Sequence, residues 1–289
     1  MNLGGHDIGV CSWSLKPASA TELVAALDAL QLDHTQLALR PLLEMEPEHR
    51  RAELDVIARA EIALTAGMLN FEGENYASIG MIRKTGGFVP ADLWPSRRDL
   101  VIRAADLAAE IGVDRVSVHL GFLPPGSDPG YPMLIERATE LAQAFGEKSL
   151  TILFETGQER ASDLLQFLND LNCRNVAVNL DPANMLIYGS GDPVEAVHTL
   201  DRHIGHVHIK DAITSTAPGV EWGEEVPFGT GDIDQEAFCQ ALHDANYAGP
   251  LVIECETDPG DLEPIRTAIG RLAELFGGTA TQADTEFSK

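Results

Sequence analysis

The chain has 289 residues, 44% of them hydrophobic and 22% charged, so it can bury an ordinary core and does not read as a disordered segment. Its 45 acidic residues against 20 basic ones give a formal net charge of −25. That balance argues against nucleic acid or an anionic membrane surface as a partner, because both are bound through clustered Lys and Arg.

No apolar run approaches the roughly 18 residues that would span a bilayer. The start, MNLGGHDIGVCSW, lacks the basic and apolar regions of a secretory leader. Cys11, Cys173, Cys239 and Cys255 are far apart, each in or beside an apolar segment. They read as thiols of a reduced, cytoplasmic protein, not as a disulfide framework.

In chain order, short apolar runs alternate with amphipathic stretches. The runs are IGVCSW (8–13), HTQLAL (34–39), IALTAGML (62–69), RVSVHL (115–120), LTILFE (150–155), NVAVNL (175–180), HVHIK (206–210) and PLVIE (250–254). Among the helices between them, SRRDLVIRAADLAAEIG is the clearest. Ser96 stands as its cap, Asp99 at the capping-box position, and Gly112 at its C-terminal turn. Leu100, Ala104, Leu107, Ala108 and Ile111 form its apolar stripe. Ser162-Asp163 opens another helix, and Pro193 sits in the first turn of a third.

Strands of this length alternating with helices predict parallel βαβ units, and eight such units close a barrel. No GxGxxG follows the first strand, as a dinucleotide-binding open sheet would show. The pattern therefore predicts a single-domain α/β fold, a (β/α)8 TIM barrel over residues 1–275, with 276–289 as a flexible tail. Residues 70–95 are too long for a turn and read as an ordered lid over the site, with Glu74 and Tyr76 facing it. Residues 211–231 form a second long loop, closing on Gly229-Thr230-Gly231, whose backbone N–H groups could cradle a phosphate.

Four consecutive runs end in a carboxylate or an imidazole: Glu155, Asp181, His208 and Glu254. Parallel barrel strands end on one rim, where active sites are built, and neighbouring strands lie about 4.8 Å apart. Side chains so placed converge, and three close carboxylates repel one another unless a cation neutralises them. The four are therefore expected to bind one divalent metal ion. Three oxygens and one nitrogen point to Mn²⁺ first, with Mg²⁺, Co²⁺ or Zn²⁺ as alternatives. His119 holds the equivalent position on the fourth strand and is expected as a substrate contact or proton carrier. Lys210, near the barrel mouth, either steadies an anionic group or pairs with Asp211. His206 lies a layer deeper and reads as core. Trp13 reads as pocket wall, Trp222 as a sugar-stacking candidate, and Glu224 and Glu225 as solvated rim.

ILFETG, NLDPAN, HVHIKDA and LVIECE together resemble the sugar-phosphate isomerase/epimerase members of the xylose-isomerase-like barrel superfamily, as do the lid segment and VHLGF. The resemblance covers about residues 8 to 275. It implies that Glu155, Asp181, His208 and Glu254 bind Mn²⁺ or Co²⁺, and that the two glutamates exchange protons with a substrate carbon. The chain departs from the ketose 3-epimerases at three positions. Asn184 stands where they carry His, Thr214 where they carry Arg, and Ala161 where they carry Glu. Gln158 or Glu159 then substitutes for that Glu, and Asn184 is expected at the substrate. The superfamily's apurinic endonucleases need further histidines, and the net charge opposes DNA.

The expected function is a metal-dependent isomerase or epimerase of a ketose, keto-sugar or sugar phosphate, with a small carbohydrate as ligand and a homo-oligomer as the expected assembly. The alternatives are a lyase or dehydratase on keto-glycosides or keto-inositols, or a non-catalytic carbohydrate-binding barrel.

Overall fold

The computed structural model describes residues 1–277. Eight parallel strands form the barrel: β1 His6–Cys11, β2 His34–Ala38, β3 Ala63–Leu69, β4 Arg115–Val118, β5 Thr151–Glu155, β6 Val176–Leu180, β7 Ile204–Ile209 and β8 Leu251–Ile253. They pair in chain order, and β1 closes the ring by pairing with both β2 and β8. The expected (β/α)8 barrel is thus the fold found.

Strand and helix faces meet in one core. Ile8, Val10, Val116, Val118, Ile152, Phe154, Val178 and Leu180 are buried there. Each such side chain contributes about 1.5–3 kcal/mol on leaving water. The inner faces near the C-terminal mouth are polar instead: Gln36, Ser117, Asn179, His206 and His208 are wholly buried. Strand pairing shifts register at two points, between Thr35 and Gln36 and between Val178 and Asn179. Both irregularities sit beside a polar side chain that turns into the barrel, as bulges near sites commonly do.

Some boundaries differ from expectation. The first strand stops at Cys11, and Ser12–Leu15 turn into a short helix, so Trp13 leaves the barrel wall. The helix expected from Ser96 begins at Trp94, because Pro95 fits a first turn without costing a hydrogen bond. Ser96 Oγ donates to Leu93 O at 2.9 Å. Gly112 ends the helix as expected, at φ +75°. The helix at 162–163 begins at Ala161 with no side-chain cap, whereas Asp192 caps the Pro193–Leu200 helix. The last helix, Glu263–Gly277, takes in the first two residues of the expected tail. The rest of that tail lies outside the described residues. No helix among the described residues is long and apolar enough to cross a membrane.

Residues 70–95 are ordered around the helix Ile79–Thr85, which Ser78 caps through Met81 N at 3.2 Å. Two buried arginines fasten the segment by its carbonyls. Arg97 donates to Gly87 O at 2.5 Å and Glu72 O at 3.0 Å, and Arg137 donates to Phe88 O and to Val89 O. Gly87 adopts φ +56°, and a Cβ there would lie 2.2 Å from the Leu120 carbonyl carbon. Only glycine lets the two backbones approach so closely.

Candidate active site

At the C-terminal mouth, β5 to β8 deliver Glu155, Asp181, His208 and Glu254. One ligand atom from each lies within 4.8 Å of all the others. His208 Nδ1 is 3.2 Å from Glu254 Oε2, 3.4 Å from Asp181 Oδ2 and 3.7 Å from Glu155 Oε1. Two ligands on opposite sides of one divalent ion, each about 2.3 Å from it, lie roughly 4.6 Å apart, so the donor set has the size of a single-ion site. Three carboxylate oxygens and an imidazole suit a divalent ion of the Mn²⁺ or Mg²⁺ kind. Cys11 offers a rival grouping with His208 and Glu254. Burial pushes its thiol up to about 12, and a soft sulfur suits an ion of the Mn²⁺ or Mg²⁺ kind less well than oxygen ligands do.

The local structure orients each donor. Asp181 caps the helix Pro182–Tyr188: Oδ1 accepts from Asn184 N at 2.8 Å, leaving Oδ2 for His208. His208 Nε2 faces Gln36 Oε1 at 2.6 Å. An amide oxygen is an acceptor, so Nε2 carries a proton and Nδ1 is the nitrogen that faces the carboxylates. Glu155 takes Asn184 Nδ2 at 3.0 Å and Asn179 Nδ2 at 3.1 Å. Glu254 takes Trp13 Nε1 at 2.7 Å and Lys210 Nζ at 3.0 Å.

The two glutamates are electrostatically unequal. Burial raises the Glu155 carboxyl above its ordinary range, against the pull of His119 and His208. Burial acts the same way on Glu254, but Lys210 and His208 outweigh it and hold that carboxyl well below the ordinary range. Burial likewise opposes the charge on Lys210, and Glu254, Asp181, Glu256 and Glu225 overcome it, keeping the ammonium charged.

Above the donors opens a cleft of about 640 Å³. Trp13, Glu74, Tyr76, His119, Asn184 and Lys210 line it together with Glu155 and Glu254. The lid segment therefore reaches the site, with Tyr76 Oη donating to Glu74 Oε2 at 3.2 Å. His119 lies just beyond β4 and is half-buried in the cleft wall.

Several expectations are corrected. Gln158 and Trp222 stand behind the cleft. Both pack on Tyr188: Gln158 Nε2 donates to its hydroxyl at 3.4 Å, and the Trp222 ring lies 4.9 Å from its ring. Tyr188, not Trp222, presents an aromatic surface to the cleft. Lys210 does not pair with Asp211, because neighbouring strand residues point to opposite sides. It instead meets Glu254, Glu225 and Glu256 at 3.0–3.3 Å. Glu225 is thus not a solvated rim residue but part of the site's hairpin (Asp211–Ile213 with Glu224–Val226). The N–H groups of Gly229 and Gly231 both donate to Asp211 Oδ2 at 3.0 Å, so they are not free for a phosphate. His206 is core as expected, with Nδ1 on Asn179 Oδ1 at 2.8 Å.

Gln36, Asn179, Tyr188 and Glu256 were not legible beforehand. Gln36 and Asn179 interrupt apolar runs just as the rim residues do, but inside the strand, where a polar residue reads as solvent-facing.

The family model for the xylose isomerase-like TIM barrel matches residues 76–275. The chain is 28% identical over 150 residues to an inosose dehydratase from Clostridium perfringens, a match covering 47% of this chain and 50% of that protein. The match thus spans about half the length of that curated relative. A xylose isomerase domain protein from Planctomyces limnophilus superposes with a TM-score of 0.85 at 31% identity, covering 94% of this chain and 98% of that one. The 3-keto-D-glucoside 4-epimerase YcjR from E. coli superposes with a TM-score of 0.69 at 17% identity, covering 93% and 99%.

Proposed function

The chain belongs to the xylose isomerase-like TIM barrel family, and on that premise we propose that it is a divalent-metal-dependent isomerase or epimerase of a keto-sugar or related polyol ketone. The observation that carries the reading is the pairing of two glutamates, Glu155 and Glu254, on one four-residue donor set beneath a substrate-sized cleft. Glu155, Asp181, His208 and Glu254 would hold the ion. When bound, it supplies a Lewis acid that acidifies the proton beside a carbonyl and accommodates the negative charge left behind.

The protein's own groups do the rest. Glu254, held ionised by Lys210, takes the proton from carbon as a general base. Glu155, the second glutamate of the set, delivers a proton drawn from solvent back to carbon. Asn184 and Trp13 fix the two carboxylates. Glu74, Tyr76 and His119 are placed to hold substrate hydroxyls, and the lid excludes water from the reacting carbon. The relationship to YcjR, an epimerase of a keto-glucoside, supports this reading.

A second reading is dehydration of a keto-inositol. His119 favours it, because an imidazole in the cleft wall outside the donor set can protonate a departing hydroxyl, and the relative from C. perfringens is an inosose dehydratase. Turnover of the Mn²⁺-loaded enzyme in D₂O separates the two. Carbon-bound deuterium in a rearranged ketose is the expected outcome. Loss of water from a keto-inositol with no rearrangement of any ketose assigns the protein to the second reading, and neither reaction on any substrate overturns both.

A further inference from the structure

A second cavity, of about 270 Å³, adjoins the cleft and shares Trp13, Ala38 and Pro41 with it. Its character is opposite. Leu23, Leu42, Met45 and Ile57 wall it, and all but Met45 belong to the buried core. The polar groups around it are already engaged: Ser19 Oγ accepts from Glu22 N at 3.3 Å, and Glu53 accepts from Ala20 N. Lys16 stands exposed at its rim. A sugar hydroxyl entering this chamber would lose its water and gain little in return, whereas an apolar group would gain burial.

We propose that this chamber is a subsite for an apolar or aromatic substituent, so that the substrate is an uncharged keto-sugar carrying an aglycone and not a sugar phosphate. The proposal rests on the keto-sugar reading above and names its substrate class. Two observations carry it. The first is adjacency: Trp13, pinned to Glu254 at 2.7 Å, borders both spaces together with Ala38 and Pro41, so the chamber lies beside a sugar ring held at the carboxylates. The second is charge. Glu74, Glu155, Glu254 and Glu256 line the cleft, where Lys210 is already shared among three carboxylates. A phosphate dianion meets repulsion there. The division of the site into a polar, acidic half and an apolar half matches a ligand divided in the same way.

The test is calorimetric titration of the Mn²⁺-loaded protein with methyl β-D-glucopyranoside, 4-nitrophenyl β-D-glucopyranoside and glucose 6-phosphate. The aryl glucoside is expected to bind about tenfold tighter than the methyl one, the gain from burying one ring. Ala18→Trp, which fills the chamber from its exposed side, and Met45→Glu, which charges its wall, should each abolish that preference without changing the Kd of the methyl glucoside or of Mn²⁺. Equal binding of the two glucosides, no binding of either, or a preference that survives both substitutions overturns the subsite. Tighter binding of glucose 6-phosphate overturns the substrate class. Failure to bind Mn²⁺ while the aryl preference persists counts against the metal reading and leaves the subsite standing.

Discussion

Trp13 and Glu254, 241 residues apart in the chain, are joined by a 2.7 Å hydrogen bond from the indole Nε1 to carboxylate Oε1. Lys210 holds the other oxygen of the same carboxylate at 3.0 Å. The carboxylate is therefore fixed from two sides and cannot rotate freely toward a substrate or away from it. Trp13→Phe keeps an aromatic wall but removes the donor. A hydrogen bond to a charged group is worth about 1.5–3 kcal/mol, so kcat should fall by about ten- to a hundredfold. The melting temperature should move little, since Trp13 is only half-buried. Steady-state kinetics beside thermal melting checks this, and an unchanged kcat would remove Glu254 orientation from the mechanism.

Lys210 is the charge that lets three glutamates crowd together: its Nζ lies 3.0–3.3 Å from Glu254, Glu225 and Glu256. Removing one partner of a buried ion pair costs about 3–5 kcal/mol, because the other charge stays buried alone. Lys210→Met should therefore be strongly destabilised in EDTA. A divalent ion supplies positive charge to the same carboxylates, so Mn²⁺ should raise the melting temperature of the variant more than that of the parent. Calorimetry with and without Mn²⁺ measures both, and equal Mn²⁺ gains would separate Lys210 electrostatically from the donor set.

The donor set was legible because a carboxylate or imidazole ending an apolar run is a local signal, repeated on four consecutive strands. The barrel was legible for the same kind of reason, since its strands and helices are short-range patterns. What supports the donors was not. Gln36 reaches His208 across 172 residues of chain, helped by a register shift that no periodicity announces. Lys210 precedes Asp211 in sequence, yet its partners come from the hairpin and from the end of β8. Trp13 read as pocket wall, which it is, but its hydrogen bond to Glu254 depends on the turn that takes it out of the barrel wall. Gly229-Thr230-Gly231 looked like an anion cradle, but the anion it holds is the chain's own Asp211.

Glu159 provides a pH test away from the donors. It is buried, its Oε1 has no partner among the described residues, and burial pushes its carboxyl up to about 8 from an ordinary 4.5. The folded protein thus keeps a proton that the unfolded chain has released, throughout the window from about 4.5 to 8. Stability contributed by the neutral acid is present at low pH and is lost as pH rises through that window, by up to about 1.4 kcal/mol per pH unit. Glu159→Gln mimics the neutral form, so it should gain on the parent steadily from pH 5 to 8. Urea melts across that range check the slope, and parallel curves for the two proteins would mean that Glu159 is ionised in the fold.

Beside the two arginines that fasten it, the lid depends on close backbone approach at one residue. Gly87 has φ +56°, its N–H donates to Glu74 Oε1 at 2.8 Å, and its carbonyl accepts from Arg97 at 2.5 Å. It therefore links the arginine that fastens the segment to the glutamate that faces the cleft. A methyl group there would meet the Leu120 carbonyl carbon at 2.2 Å, in a conformation that L residues rarely adopt. Gly87→Ala must push the two backbones apart, shifting Glu74 and Tyr76 from the cleft while β5 to β8 keep the donor set. KM should rise and kcat fall by about tenfold or more, with Mn²⁺ affinity unchanged, and trypsin should cut sooner at Arg83 and Lys84. Gly80→Ala is the control within the same segment. Gly80 lies in the helix Ile79–Thr85, and an added Cβ would come no closer than 3.9 Å to another atom, so the change should leave kinetics intact and stabilise the helix by up to about 1 kcal/mol. If Gly87→Ala bound substrate as the parent does and resisted trypsin equally, the lid would have no part in holding the substrate.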